Sequence, residues 1–193
     1  MKRICVFCGS NAGARPSYLR ATVDLGELLA ARGIGLVYGG GNVGLMGALA
    51  DAALAKGGEV IGVIPQSLLQ RELGNTACTE LRIVESMHQR KQMMADLSDA
   101  FIALPGGFGT LEEFCEMVTW SQLGIQHKPC GLLNVRGYYD PLLRLFDQAV
   151  EEKFLLPENR GLVLVSNDAA ALLQQFESWK PPKAKAWISK EES

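Results

Sequence analysis

Short apolar runs that do not alternate, each followed by a turn and then most often by a helical pattern, constrain this chain more than any other feature. They are Arg3 to Phe7, Ile34 to Tyr38, Glu59 to Pro65, Leu81 to Val84, Ala100 to Leu104, Gly131 to Val135 and Leu162 to Val165. A strand that is apolar on both faces must be covered on both, which is the condition of a parallel sheet between two helical layers. Helical periodicity predicts helices from Pro16 to Arg32, Gly47 to Lys56, Met87 to Leu97, Leu111 to Leu123, Pro141 to Glu152 and Ala169 to Trp179. The first opens on a proline and closes on Gly33, the expected asymmetry of helix ends. Residues 66–79 form a longer, weakly patterned connection. The expected class is α/β: a Rossmann-like, doubly wound parallel sheet with helices on both faces, in a single domain. At 193 residues the chain suffices for one such core. The domain is expected to span residues 1–179, with 180–193 a loose C-terminal tail beginning at Lys180-Pro181-Pro182-Lys183.

Composition excludes several functions. Apolar residues make up 48% and charged residues 21%, ordinary for a globular protein, and the net charge is −2 with no basic run before the tail. No nucleic-acid partner is expected, because a phosphate-neutralising patch is missing. No apolar span long enough for a membrane appears and no signal-peptide pattern follows Met1-Lys2-Arg3, so the expected location is cytoplasmic. Five cysteines at 5, 8, 78, 115 and 130 do not form a disulfide framework. Cys5-Val6-Phe7-Cys8 has redox-motif lettering but lies on a strand, where positions three apart face opposite sides. His88 and His127 have no partners at metal-ligand spacing, so no metal is expected.

Three glycine-bearing turns follow strands: residues 9–13, 39–44 and 105–110. In a doubly wound sheet ligands bind beyond the carboxyl ends of the strands, so these turns outline a nucleotide-sized crevice. Leu104-Pro105-Gly106-Gly107-Phe108-Gly109-Thr110-Leu111-Glu112-Glu113 is the most informative of the three. Glycines at a strand-to-helix turn let backbone N–H groups and the helix dipole hold phosphate, with Glu112 and Glu113 one turn away. The same residues also read as a capping box in which Thr110 caps the helix and Glu113 reaches back. The two readings are compatible and both stay open. Gly39-Gly40-Gly41-Asn42-Val43-Gly44 fits the dinucleotide fingerprint, but its acid, Glu59, begins the next strand instead of ending it. No Lys-Ser/Thr pair follows Gly109, so a Walker-type loop fails. Arg90 and Lys91 sit early in a helix, against the dipole preference. They are either a solvated basic pair or a cationic wall facing the phosphate loop.

Taken together, Pro105-Gly106-Gly107-Phe108-Gly109-Thr110-Leu111-Glu112-Glu113 and the upstream Arg90-Lys91 resemble the Lonely Guy family of cytokinin riboside 5′-monophosphate phosphoribohydrolases. The similarity runs from Cys8-Gly9-Ser10 through residues 39–47 to Thr119-Trp120-Ser121-Gln122-Leu123-Gly124 and Gly137-Tyr138-Tyr139. Family members have carried the label lysine decarboxylase, but nothing in this sequence argues for a pyridoxal phosphate site. The resemblance implies hydrolysis of the N-glycosidic bond of cytokinin riboside 5′-monophosphates or AMP, releasing adenine-type base and ribose 5-phosphate. No cofactor is expected, since a carboxylate and an arginine suffice for that reaction and no ligand cluster is legible. It assigns Glu113 to the reacting carbon and Arg90 to orienting the substrate. Substrate contacts are expected at Lys91, Gly106, Gly107, Phe108, Gly109, Thr110, Leu111, Glu112, Glu72 and Thr119. A nucleotide-sensing module without hydrolysis and an NAD(P)-dependent oxidoreductase are the alternatives. A homodimer is expected, partly from the family and partly because Met87, Met93, Met94, Met117, Val118 and Trp120 exceed one sheet-facing stripe.

Overall fold

The computed structural model describes residues 1–69 and 74–181. Seven strands form one sheet: β1 (Arg3–Phe7), β2 (Gly35–Tyr38), β3 (Val60–Pro65), β4 (Glu80–Val84), β5 (Ala100–Ala103), β6 (Cys130–Leu133) and β7 (Val163–Ser166). Their order is β4-β3-β2-β1-β5-β6-β7, and every pairing is parallel. The seven helices are α1 (Pro16–Ala31), α2 (Gly44–Ala55), α3 (Met87–Leu97), α4 (Phe108–Leu123), α5 (Asp140–Glu151), α6 (Pro157–Arg160) and α7 (Ala169–Ser178). The fold is the doubly wound α/β sheet expected from the strand pattern.

Alternation along each strand divides the core in two. Ile4, Val6 and Leu36 point to a cluster completed by Leu25 and Leu29 of α1, Leu49 of α2 and Leu172 of α7. Cys5, Phe7 and Val37 point the other way, to Met94 of α3 and to Phe114 and Met117 of α4. Each fully buried large side chain contributes about 1.5–3 kcal/mol of transfer free energy, so both faces need their helical layer. Cys5 and Cys8 fall in different clusters, which ends any dithiol reading. Burial raises both thiols, and the nearby Glu113 carboxylate raises them further. Among the described residues, no helix is long and apolar enough to cross a membrane.

Three local expectations need correction. Helix α2 starts at Gly44 instead of Gly47, because Gly44 takes a left-handed φ of 56° and packs its backbone on the loop after β1. Any Cβ there would collide with the Ser10 carbonyl, and Leu45 N–H donates to Gly9 O at 3.1 Å. Gly44 thus serves close packing of α2 against that loop. Helix α4 starts at Phe108, with Gly107 as its N-cap and no side-chain cap, so the box built on Thr110 and Glu113 does not form. Thr110 is drawn into the first turn, where its Oγ1 lies against Gly106. The short helix α6 was not anticipated; four residues give too little periodicity to read. Of the expected tail, residues 182–193 lie outside the described residues.

Candidate active site

The strand order reverses between β1 and β5, whose register runs from Ile4 opposite Ala100 to Phe7 opposite Ala103. Beyond their carboxyl ends the chain diverges into two loops that remain tied by Gly9 N–H donating to Pro105 O at 3.2 Å. A cleft of about 270 Å³ opens there, floored by Cys8, Gly9 and Ser10 and walled by α3 and the start of α4. Arg90, Gly107, Phe108, Gly109, Thr110, Glu112 and Glu113 all line it. The first intrahelical bond of α4 is Leu111 N–H to Gly107 O at 3.1 Å. Helix geometry therefore leaves the N–H groups of Phe108, Gly109 and Thr110 without a partner of their own turn, at the positive end of a 16-residue helix. This end of the cleft suits a phosphate.

Glycine is required at the rim. A Cβ at Gly106 would strike Thr110 Oγ1 and approach Gly9 N at 2.9 Å. Phe108 stands 93% exposed at the mouth, an unusual position for a large aromatic. Glu113 projects half-buried from the second turn of α4. Burial is the main cause of the raised Cys5 thiol; Glu113 pushes it further up and Arg90 pulls it down. The carboxylate and the guanidinium thus act on one buried atom from the same end of the sheet.

Both cations of the basic pair are buried, Arg90 at 5% exposure and Lys91 at 7%, so the solvated-pair reading is wrong. They have different tasks. Arg90 donates from Nε to Val63 O at 3.0 Å and from Nη2 to Gly39 O at 2.7 Å, tying β3 to the turn after β2. Its Nη1 edge lies 3.8 Å from Met87 Sδ, on the cleft side. Lys91 points away, to Glu112 and, at 3.1 Å, to Glu116 of α4. Burial pulls its ammonium down, but the hydrogen bonds it donates to these two carboxylates outweigh that and leave its pKa raised.

The structure therefore gathers most, not all, of the expected residues. Gly106 lines an adjoining hollow shared with residues 9–13 and Tyr138. Leu111 packs into the core and Lys91 is an ion-pair partner within the scaffold. Thr119 is three turns along α4, with its hydroxyl donating to Cys115 O at 2.7 Å, and faces a separate hollow between α4 and α5. Glu72 lies outside the described residues. Met46, Leu68 and Met87 supply an apolar wall that the sequence reading did not assign. Tyr138 was also missed as a site residue, although adjacent tyrosines in a glycine-bearing turn were a visible signal.

Comparison with known proteins bears on the family and the fold. The family model described as possible lysine decarboxylase matches residues 46–176. A probable cytokinin riboside 5′-monophosphate phosphoribohydrolase of Oryza sativa subsp. japonica is 55% identical, covering 94% of this chain and 74% of the relative. A cytokinin riboside 5′-monophosphate phosphoribohydrolase of Arabidopsis thaliana is 53% identical over 93% of this chain and 84% of its own length. Among solved structures, the molybdenum cofactor carrier protein of Chlamydomonas reinhardtii superposes with a TM-score of 0.70 at 23% identity, covering 92% of this chain and 98% of that one. That likeness carries the fold alone. By the matched model and by identity over nearly its whole length, the chain belongs to the Lonely Guy family, whose family model bears the description possible lysine decarboxylase.

Proposed function

We propose that this chain hydrolyses the N-glycosidic bond of cytokinin riboside 5′-monophosphates and of AMP, releasing the free base and ribose 5-phosphate. The observation that carries the reading is one helix presenting both an anion-binding start and, within the same cleft, the carboxylate of Glu113. From Gly109 to Glu113 the helix rises about 6 Å, comparable with the reach of ribose 5-phosphate from phosphorus to C1′. Relatives at 53–55% identity bear the name of this activity.

The chemistry follows from charge. As the C1′–N9 bond lengthens, its electrons go to the base and positive charge builds on the ribose ring, as in glycoside hydrolysis. Glu113 stabilises that charge and takes a proton from the attacking water, whose oxygen bonds to C1′. The departing base nitrogen accepts a proton, so that water is divided between the products. Arg90, rigidly held by two carbonyls, meets the negative charge of the nucleotide without reorganising. The N–H groups of Phe108, Gly109 and Thr110, with the Thr110 hydroxyl, hold the phosphate, and Met46, Leu68 and Met87 offer an apolar wall toward the base. No cofactor enters the scheme. The five free cysteines are consistent with a cytoplasmic location.

The protein also acts as a homodimer in this reading. Support comes from the outer face of α3 and α4, where a groove of about 710 Å³ is lined by Met93, Leu97 and Trp120 around Lys91 and Glu116.

Chromatography of AMP and isopentenyladenosine monophosphate after incubation with purified protein tests the activity. Free base is the expected product, with adenosine poorer by at least about 100-fold because phosphate binding holds C1′ in place. Intact nucleotide with a raised melting temperature would mean a binding module, and a response to NAD(P) alone would mean an oxidoreductase.

A further inference from the structure

The loop that opens α4 is held from outside by two tyrosines. Tyr138 donates its hydroxyl to Gly106 O and Tyr139 donates to Leu104 O, both at 2.6 Å. Between them, Pro105 O accepts from Gly9 N–H. Three successive carbonyls are thus each engaged by a donor. The consequence is geometric, because a trans peptide is a rigid plane with C=O and N–H on opposite edges. Fixing Gly106 O fixes the direction of Gly107 N–H, and Gly107 lines the cleft. Glycines at both 106 and 107 make this peptide easy to flip. The flipped form would turn a carbonyl dipole toward the anion.

The local backbone is bent so that the tyrosines reach the loop. Arg136 holds a left-handed φ of 55°, uncommon for a residue with a side chain, and Gly137 follows at 71°. Asn134 braces the turn, accepting from Tyr139 N–H and donating to Asp140, both at 2.7 Å. The Tyr138 ring sits edge-on to Tyr18 at 5.9 Å and to Tyr139 at 5.1 Å.

We propose that Tyr138 is a positioning residue: its hydroxyl holds the Gly106–Gly107 peptide with the N–H facing the cleft, and so sets affinity for the 5′-phosphate. This rests on the nucleotide-hydrolase reading for its substrate, but its own content is phosphate affinity, which is measurable without turnover. Tyr138 is 40% exposed, and Tyr138→Phe keeps the ring and its edge contacts while removing one hydroxyl. The expected result is a KM for AMP raised about fivefold to tenfold, the scale of one net hydrogen bond. Affinity for ribose 5-phosphate in calorimetric titration should fall by the same factor. Unlike a loss of folding, which would lower the melting temperature and kcat, this change should leave both nearly constant.

Unchanged KM and unchanged ribose 5-phosphate affinity would overturn the proposal while leaving the hydrolase reading intact. If the wild-type protein binds ribose 5-phosphate but cleaves no nucleotide, the hydrolase reading fails, and the ratio of the two affinities still decides the role of Tyr138. No binding of ribose 5-phosphate by the wild-type protein would overturn the proposal as well.

Discussion

Arg90 divides its guanidinium between scaffold and cleft. Two of its N–H groups hold β3 and the turn after β2, so the edge facing the cleft is fixed before any substrate arrives. Glu113 has the complementary position, half-buried on α4 and close enough to influence Cys5 and Cys8. In the proposed mechanism its charge matters more than its volume. Glu113→Gln should lower kcat at least about 100-fold, the scale of a lost general base. Because the amide keeps the size and hydrogen-bonding capacity of the side chain, stability should change by less than about 1 kcal/mol. Base release and thermal melting of the variant check both parts. Near-normal turnover would move the role to Glu112, which lines the same cleft and pairs with Lys91.

Two helices must keep Arg90 and Glu113 in register, and Lys91 joins them. Its ammonium bridges from α3 to Glu112 and Glu116 on α4, with 8% of the side chain exposed. Lys91→Met should cost about 1–2 kcal/mol, less than for a fully buried pair because Glu112 is 54% exposed. A fall in kcat of about threefold to tenfold should accompany it, as the helix pair loosens around the near-attack geometry. The pH dependence has a definite sign. A cation whose folded pKa is raised contributes stability that is fully present below its unfolded value of 10.5 and is lost as pH rises through the folded value. The stability difference between wild type and Lys91→Met should therefore hold steady from about pH 7 to 9 and shrink above about 10.5. Denaturant melts across that range decide it; a gap that persists at high pH would show that the ion pairs are not its source.

For the whole molecule, the deciding surface is the outer face of α3 and α4. Of the six residues that motivated a dimer, Met94 and Met117 belong to the core. Met93, Val118 and Trp120 are only half covered, and Met87 is 40% exposed. A second copy meeting the same face about a two-fold axis would cover this groove. Sedimentation at micromolar concentration should give twice the protomer mass of 20.9 kDa. A monomer that still releases base would sink the dimer and leave the cleft as a complete site in one chain.

The unalternating strands and their following helices determined the layer architecture by themselves, since an apolar run such as Val60–Pro65 has no stable place except between two helical layers. The glycines of residues 105–109 likewise declared a backbone-lined turn, and Arg90 and Glu113 were legible because their spacing matches a known pattern. Local signals failed where the deciding contact was distant in sequence. Thr110 has the chemistry of a cap, yet it packs against Gly106 and the helix starts three residues earlier. Lys91 and Arg90 are neighbours in sequence, but successive helical positions point about 100° apart, which sends one to the cleft and the other to Glu116. Tyr138 reaches Gly106 across 32 residues through a turn with left-handed backbone at 136 and 137. Such a contact exists only once β5 and β6 are paired, because pairing brings the loops at their ends together.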